Sequence, residues 1–473
     1  MEATEVKTNG VSFRAAAGDA RQGALLRLSR HQAVFEVYGE SRVLRVSEAL
    51  GEFQITFAQR AVYSGRAVTR TVLDAGTSAI YEVTLNEKDW LDFLFAGDSF
   101  RNGAVKHQFE EFLAEWQKVY HILPEFKVVM ADMQSFLHDL RLWVDQVELE
   151  LKARYPGDLA QARHEVEEKM GAQVVPAFNA MHERMEALSA TIPPELRGAH
   201  ESFAQRQLHP LMMCAPFGRR TFLKPLGYAG DYEMVNMILR DPFEGDSMYA
   251  RLVNLWFLRQ WPAEAHRNRI KYLKTCLKRE CLRGARRGQP VRILNLGCGP
   301  AYEVQQFLES EAVSDHAEFT LLDFNQETLD YATSLLTVAK QRAGRRTPIK
   351  FEKKSVHQLL KEGGRRQNPG AGIYDLIYCA GLFDYLSDRT CQHLMNIFHQ
   401  QLAPGGLLVA TNVDDRKPFR HMMEFLLDWH LIYRTPAGGA TLVPESASAD
   451  EVQVFNDDTE VNIFIEVRKP EHA

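Results

Sequence analysis

The stretch VRILNLGCGPAYEV, residues 291–304, decides the fold that this sequence predicts. Its first half is a short apolar run typical of a buried β-strand, and Gly297 and Gly299 then interrupt that run. From residue 301 onward the apolar side chains follow helical spacing. The sequence therefore predicts a strand, a glycine turn and a helix whose first backbone N–H groups face a ligand. Doubly wound α/β sheets bind nucleotides at such a turn.

Two common phosphate-binding motifs do not fit this turn. A dinucleotide-binding turn has a third glycine where this chain has Tyr302, and no Gly-Lys-Ser/Thr of a P-loop follows. The segment LNLGCGPAYE instead resembles motif I of the class I S-adenosylmethionine (SAM)-dependent methyltransferases. A tight structural turn without a ligand is the alternative. The resemblance implies cofactor contacts at Leu296, Gly297, Cys298, Gly299 and Pro300.

Asp323 ends the next predicted strand, FTLLDF. A carboxylate at this position holds the ribose in dinucleotide-binding folds, because it accepts hydrogen bonds from the ribose hydroxyls. We therefore predict that Asp323 binds the ribose of the cofactor, with Phe324 and Asn325 beside the adenosine. The alternative role for Asp323 is an N-cap of the following helix.

Further motifs of the same family follow in the family's order. The strand IKFEKKS ends where this fold places the adenine ring, and the strand YDLIYC ends at the site. The turn LAPGG is typical of the family, and the C-terminal segment predicts two antiparallel strands that close the sheet. The fold class implied is α/β, a Rossmann-like seven-stranded methyltransferase domain. The implied cofactor contacts in these motifs are Ser355, Val356, Cys379, Ala380 and Gly381.

Composition limits the function classes. The chain of 473 residues is too long for one ordinary domain, and its net charge of -6 gives no general attraction to nucleic acid. We expect no membrane span, because no apolar run is long enough for one. The six cysteines are scattered without a C-x-x-C pair, and the first residues lack the layout of a signal peptide. We therefore expect a cytoplasmic protein without a metal site.

The sequence predicts four segments. Residues 1–98 form a small β-barrel after a loose arm over residues 1–20. Residues 99–208 form a helical spacer, and residues 209–289 form a cap segment and helices that lead into the fold. Residues 290–473 form the methyltransferase domain. The predicted barrel strands are ALLRLS, AVFEVYG, RVLRVS, GEFQITFA, RAVYSGRAVTR and AIYEVTL.

The barrel resembles a PilZ-type domain, a family in which some members bind cyclic di-GMP. The arginine motif of that family is altered here. Arg27 and Arg30 are one residue too close, and the correctly spaced pair Arg66 and Arg70 follows the serine instead of preceding it. We therefore favour a structural or partner-docking role for the barrel over nucleotide sensing.

The spacer is apolar at helical spacing and is divided by prolines. We expect antiparallel helices. These helices could also form a homodimer interface, which the sequence does not decide. One predicted apolar face contains Phe109, Phe112, Leu113, Trp116, Val119 and Tyr120, and a second contains Met130, Met133, Phe136, Leu137, Leu140, Leu142, Trp143 and Val147.

Residues 209–240 combine glycines, prolines and charged side chains just upstream of the fold. Class I methyltransferases commonly cover the cofactor with such an extension, and a plain domain junction is the alternative. As a cap, the segment would bring Tyr228 and Asp231 to SAM, and Asp231 also fits as the N-cap of the helix EMVNMIL. The cations expected to meet an anionic substrate are Arg219, Arg220 and Lys224.

Methyl transfer to a hydroxyl or an amine needs a general base, whereas a carboxylate acceptor needs none. Candidate bases are His209, Asp384 and His357, and Tyr385 is a candidate substrate contact. No base with an orienting partner is visible, which favours a small acidic substrate. The chain as a whole resembles bacterial 3-hydroxypalmitic acid methyl ester biosynthesis proteins. The resemblance rests on the combination of the barrel, the helical spacer, the segment KPLGYAGDYEM and the methyltransferase motifs.

That resemblance implies methylation of a 3-hydroxy fatty acid carboxylate, with S-adenosylhomocysteine (SAH) as the second product. Two other functions are open. One is an O- or N-methyltransferase of a natural product or peptide. The other is a cyclic di-GMP receptor that keeps a SAM-binding scaffold without catalysis. No basic stripe with interleaved aromatic side chains is present, so we expect no nucleic-acid substrate.

Overall fold

The computed structural model describes residues 9–15, 20–38, 44–57, 60–74, 78–91, 121–363, 373–416 and 419–471. The chain forms two compact units. The first contains Met1–Ala229, Pro242–Phe257 and Pro418–His430, and the second contains Gly230–Asp241, Leu258–Lys417 and Leu431–Ala473. The predicted segment 209–289 is therefore divided between the two units. The predicted boundary between residues 98 and 99 lies outside the described residues.

The first unit begins with a closed six-stranded barrel in the order β1-β2-β3-β6-β5-β4. Alternate side chains point inward, as the two-residue period of a strand requires, and a cluster of aromatic rings fills the interior. The predicted barrel is confirmed. Its strands are β1 (Asn9–Arg14), β2 (Ala20–Leu28), β3 (Gln32–Tyr38), β4 (Ala49–Phe57), β5 (Arg60–Asp74) and β6 (Ser78–Leu85).

Two details of the barrel prediction were wrong. The expected loose arm contributes β1, which pairs with β2 and β4 and closes the barrel. The run RVLRVS is not a strand over its described residues 44–47, where Ser47 has a φ of 64° in a turn. Apolar alternation alone does not decide which run finds two neighbouring strands to pair with.

Helices follow the barrel and also flank the sheet of the second unit. In the described ranges they are α1 (Pro124–Arg154), α2 (Leu159–Ala190), α3 (Pro194–Met212), α4 (Pro216–Leu223), α5 (Tyr232–Leu239), α6 (Met248–Leu258), α7 (Trp261–Arg286), α8 (Tyr302–Ser310), α9 (Gln326–Ala343), α10 (Val356–Gly363), α11 (Asp388–Gln401), α12 (Arg420–Leu427) and α13 (Pro436–Ala440). Within these ranges no helix is both long and apolar enough to cross a bilayer.

Two of the spacer helices begin at prolines, with Pro124 opening α1 and Pro194 opening α3, whereas α2 begins at Leu159 and contains Pro176. The second predicted apolar face is only partly buried. Val144 points inward on α1, whereas Leu142 and Trp143 are each 54% exposed, so the predicted face was wrong at those two residues. The first predicted face, residues 109–120, lies outside the described residues.

The second unit is built on a seven-stranded sheet in the order β12-β13-β11-β10-β7-β8-β9. The pairs from β9 to β11 are parallel, and β13 runs antiparallel to both of its neighbours. This is the predicted α/β sheet with its closing antiparallel pair. The strands are β7 (Val291–Leu296), β8 (Ala317–Asp323), β9 (Ile349–Lys353), β10 (Tyr374–Cys379), β11 (Leu402–Val413), β12 (Val452–Asn456) and β13 (Asn462–Arg468).

Apolar cores cover both faces of this sheet. The register brings the carboxyl ends of the central strands to one edge, because Leu296 pairs with Leu322 on β8 and with Cys379 on β10. Ligands of open α/β sheets bind at this edge, next to the point where the strand order reverses. Here that point lies between β7 and β10.

Candidate functional site

The glycine turn after β7 is held by the neighbouring strand. The backbone N–H groups of Gly297 and Cys298 donate to the Leu322 carbonyl at 2.8 and 3.0 Å. Gly297 and Gly299 have φ values of 70° and 53°, a left-handed conformation that favours glycine. A Cβ on Gly299 would meet nothing within 4 Å, so the backbone of the turn is open to a ligand on that side.

Asp323 joins the end of β8 to this turn. Its Oδ2 accepts a hydrogen bond from the Gly299 N–H at 3.2 Å, and its Oδ1 accepts one from the Asn325 N–H at 3.0 Å. The N-cap of α9 is Asn325, whose side chain accepts from the Thr328 N–H at 3.1 Å. The alternative of Asp323 as that N-cap was therefore wrong. Ribose binding by Asp323 stays a prediction.

A buried carboxylate lies in the first turn of α8, and the sequence analysis missed it. Glu303 Oε1 accepts hydrogen bonds from Asn295 Nδ2 at 3.2 Å and from the Tyr378 hydroxyl at 2.8 Å. Burial raises the pKa of Glu303 above its ordinary value. The cluster ties α8 to β7 and β10 directly behind the glycine turn.

Ser355 caps the start of α10. Its hydroxyl accepts from the Gln358 N–H at 3.3 Å, and its own N–H donates to Gln358 Oε1 at 2.9 Å. The preceding residue, Lys354, donates its N–H to the Asp323 carbonyl at 2.8 Å. Val356 is 8% exposed. The structure thus places Ser355 and Val356 one strand away from Asp323.

The end of β10 is apolar and closely held. Cys379 is fully buried, and burial raises the pKa of its thiol well above the ordinary value. Gly381, after partly buried Ala380, has a φ of 88° and donates its N–H to Thr411 Oγ1 at 3.0 Å. Together with the turn after β7 and Asp323, these residues line one edge of the sheet.

Asp384 and Tyr385 follow in a short 3-10 helix, Phe383–Tyr385. Asp384 is 4% exposed, its Oδ1 accepts from the Val413 N–H at 2.6 Å, and its carbonyl accepts from the Ile432 N–H at 2.7 Å. Tyr385 is partly buried. The Asp384 carboxylate therefore helps to fix the end of β11.

Arg434 fixes the rest of this loop, and nothing in the sequence pattern pointed to it. Its buried guanidinium donates to the Phe383 carbonyl at 3.0 Å, to the Leu386 carbonyl at 2.7 Å and to Asp388 Oδ1 at 2.7 Å. It also bonds to Asn412 Oδ1. A buried arginine with this many acceptors makes the loop after β10 a rigid part of the site.

Asp231 and Tyr228 fall in different units, with Asp231 in the second and Tyr228 in the first. Asp231 is the N-cap of α5, as predicted, and its Oδ1 accepts from the Met234 N–H at 2.8 Å. The next residue, Tyr232, donates its hydroxyl to Glu327 Oε1 on α9 at 2.8 Å. Tyr228 is partly buried. Cofactor contact by Asp231 and Tyr228 stays a prediction.

The predicted substrate cations belong to the first unit. Lys224 is 3% exposed, and its ammonium donates to the Leu427 carbonyl at 2.9 Å. Burial lowers the pKa of Lys224 well below its ordinary value. The Lys224 ammonium thus already serves a backbone carbonyl of its own unit, and substrate contact by Lys224 stays a prediction. Arg219 is exposed and Arg220 is partly buried on α4.

His209 also belongs to the first unit. Its Nε2 donates to the Leu426 carbonyl at 2.8 Å, and its ring contacts the edge of Phe222. Burial lowers the pKa of His209. This imidazole anchors α12 to α3.

Both correctly spaced arginines of the barrel are engaged within the first unit. Arg66 donates to the Phe222 carbonyl and lies over the Phe222 ring. Arg70 forms an ion pair with Glu201 at 3.2 Å. Both side chains thus have structural partners within the barrel's own unit.

Residues 289–449 match a family model described as a methyltransferase domain. A search of curated proteins gave no match. One similar solved structure is a possible exported protein from Bordetella parapertussis, 21% identical over 64% of this chain and 97% of that chain, with a TM-score of 0.44.

Two enzymes are also among the similar structures. The N-methyltransferase NodS from Bradyrhizobium japonicum, in complex with SAH, is 18% identical over 51% of this chain and 98% of that chain, with a TM-score of 0.29. Magnesium protoporphyrin IX methyltransferase from Synechocystis, with bound SAM, is 11% identical over 44% of this chain and 81% of that chain, with a TM-score of 0.29.

The family match spans the glycine turn, Asp323 and the end of β10, and it starts one residue before the predicted boundary at 290. The strand order and the closing antiparallel pair are those implied by the methyltransferase motifs. Residues 289–449 of this chain therefore match a methyltransferase domain in the family model, and they lie in a sheet of the order that the sequence motifs implied.

Proposed function

We propose that this chain methylates a carboxylate of a small acidic molecule, such as a 3-hydroxy fatty acid, to give a methyl ester. The supporting observation is the state of the two main candidate bases. His209 donates to the Leu426 carbonyl, and Asp384 accepts from the Val413 N–H. Both side chains serve the backbone of the chain itself. A carboxylate acceptor needs no proton removed, so it suits a site without a committed base.

The residues at the sheet edge fit the cofactor. Gly299 presents open backbone, and the Asp323 carboxylate at the end of β8 supplies the kind of acceptor oxygens that two ribose hydroxyls require. When bound, SAM supplies a methyl group that is attacked in line. The chain contributes by orienting the acceptor and excluding water, which can supply several kcal/mol. The rigid loop after β10, held by Arg434, supports that orientation.

Cofactor binding is tested first, by calorimetry with SAM and SAH on the full chain. We expect affinity in the micromolar range, about 8 kcal/mol, and its loss in Asp323→Ala. No binding of either compound to the unaltered chain would refute the methyltransferase proposal as a whole.

The acceptor is tested by incubating the chain with SAM and 3-hydroxyhexadecanoate and identifying the product by mass spectrometry. We expect the methyl ester, and no product from 3-hydroxyhexadecanamide, which lacks the carboxylate. Methylation of the 3-hydroxyl group, or of the amide, would contradict a carboxylate acceptor and would favour an O- or N-methyltransferase of another small molecule.

A further inference from the structure

An arginine that the sequence analysis did not single out lies at the carboxyl end of β10. Arg269 is on α7 and is partly buried. Its Nη1 and Nη2 atoms are 3.0 and 3.1 Å from the position that a Cβ on Gly381 would occupy. The guanidinium therefore lies against the backbone that follows Cys379, at the sheet edge where Asp323 and the glycine turn also lie.

Among the described residues, Arg269 differs from its neighbours on α7 in having no hydrogen-bond or ion-pair partner. Arg267 donates to the carbonyls of Ile238 and Leu258, and Asn268 donates to Asp457. Within the described ranges of the chain, the Arg269 guanidinium has no hydrogen-bond acceptor and no carboxylate at ion-pair distance. An arginine in a partly buried site is costly to leave in this state, because its charge cannot be removed.

The surroundings of Arg269 select the anion that fits it. Burial lowers the pKa of its guanidinium, and the negative charges of Asp384 and Glu303 oppose that change from a distance. Two nearby acids disfavour a dianion such as a phosphate monoester more than a monoanion. A carboxylate matches the planar, two-pronged donor of arginine and carries a single charge.

We propose that Arg269 binds a carboxylate at the carboxyl end of β10. This inference rests on the proposed function, which provides two sources of that group. One is the α-carboxylate of the amino-acid part of SAM, and the other is the carboxylate of the methyl acceptor. In both cases Arg269 is a binding residue at the edge of the sheet where methyl transfer takes place.

The experiment compares the full chain with Arg269→Gln, which removes the charge, and Arg269→Lys, which keeps the charge and loses the two-pronged donor. Arg286→Gln is the matched control, because Arg286 is an exposed arginine on the same helix. Three ligands are titrated by calorimetry: SAH, its decarboxylated analogue, and 3-hydroxyhexadecanoate in the presence of SAH. Thermal unfolding confirms that each variant is folded. If Arg269→Gln does not fold, the comparison is made with Arg269→Lys instead.

If Arg269 binds the carboxylate of the cofactor, Arg269→Gln should weaken the binding of SAH at least about tenfold. Its affinity for the decarboxylated analogue should stay within about twofold of that of the unaltered chain. If Arg269 binds the carboxylate of the methyl acceptor, Arg269→Gln should leave the SAH affinity unchanged and weaken the binding of 3-hydroxyhexadecanoate at least about tenfold. Arg269→Lys should lie between, and Arg286→Gln should match the unaltered chain for every ligand.

The inference is overturned if Arg269→Gln changes neither SAH nor the fatty acid, including the case in which the fatty acid binds no form of the chain. Equal weakening of SAH and its decarboxylated analogue also overturns it, since the lost contact would then not be to the carboxylate. These failures leave the proposed function intact as long as the unaltered chain binds SAH. Failure of the unaltered chain to bind SAH removes the proposed function and the inference together.

Discussion

The Gly299 N–H donates to Asp323 Oδ2 across 3.2 Å, so the end of β8 and the glycine turn are one hydrogen-bonded structure. The other carboxylate oxygen holds the Asn325 N–H, which begins the turn into α9. Asp323 is thus a positioning residue for both loops as well as the predicted ribose ligand. Substitution of Asp323 should therefore affect both the stability of the chain and its affinity for the cofactor.

Asp323→Ala should remove both backbone contacts, lower stability by about 1–3 kcal/mol and weaken SAH at least about tenfold. Asp323→Asn keeps one acceptor oxygen, so we expect a smaller loss of both. Urea unfolding and SAH calorimetry measure the two effects. Asp330→Ala is the control, because that carboxylate lies on α9 and accepts a hydrogen bond from Gln326 at the surface. SAH affinity unchanged in Asp323→Ala would contradict the assigned site.

Gly381→Ala should disturb Arg269. The φ of 88° costs about 1–2 kcal/mol for a residue with a side chain, and the new Cβ would lie 3.0 Å from Arg269 Nη1. We expect the guanidinium to move and the variant to lose the same ligand affinity as Arg269→Gln. Gly288→Ala is a matched control, because Gly288 has a φ of 69° with nothing within 4 Å of its Cβ position. Equal ligand affinities in the two glycine variants would argue against this expectation.

Glu303→Ala should be among the most destabilising changes near the site. It leaves the Tyr378 hydroxyl and the Asn295 amide without their acceptor in a buried place, which costs about 2–4 kcal/mol. Glu303→Gln keeps an acceptor oxygen and should cost less than half as much. In Glu303→Ala with Tyr378→Phe, removal of the orphaned hydroxyl should recover part of the loss. Urea unfolding of the three variants measures these differences in the free energy of unfolding. Equal free energies of unfolding for Glu303→Ala and Glu303→Gln would contradict the prediction.

Glu201 should make stability depend on pH. Burial raises its pKa from 4.5 to about 7, although Arg70 lies 3.2 Å away and acts in the opposite direction. The folded chain therefore binds this proton more tightly than the unfolded chain. Its stabilising contribution is complete below pH 4.5 and is lost as the pH rises through about 7.

We expect Glu201 to reduce the free energy of unfolding by about 2 kcal/mol between about pH 5 and about pH 8. Urea unfolding of the full chain and of Glu201→Gln across that range measures this, and the variant should lack that part of the slope. Glu195→Gln, an exposed glutamate on the same helix, should keep it. Parallel pH profiles for the full chain and Glu201→Gln would show the assignment of the raised pKa to be wrong.

Local sequence signals were sufficient for the elements that position the site. The apolar run of β7, the glycines at 297 and 299, and the N-cap at Asp231 are all decided within a few residues of chain. The strand order followed because each motif has a fixed place in a doubly wound sheet. The barrel also followed, although β1 replaced RVLRVS as its sixth strand.

The missed features are contacts between residues far apart in the chain. Glu303 meets Tyr378 across 75 positions, and Lys224 meets the Leu427 carbonyl across 203. In the sequence, nothing distinguishes Arg434 from a surface arginine, and only the fold shows that backbone carbonyls surround it. Arg269 is one of several basic residues on α7, and helical spacing alone does not show which of those charges points toward the sheet.

The thirteen-residue excursion Pro418–His430 belongs to the first unit, whereas the chain on either side of it builds the second. The first N–H groups of its helix α12 donate to both carboxylate oxygens of Glu186, and Phe425 packs against Phe126. A cut at residue 290 would release a fragment that carries α12 without these partners, with Met422, Phe425 and Leu426 uncovered. The methyltransferase domain is therefore not a detachable module. Gene fusions, truncations and crystallisation fragments of this protein need to keep both units on one polypeptide.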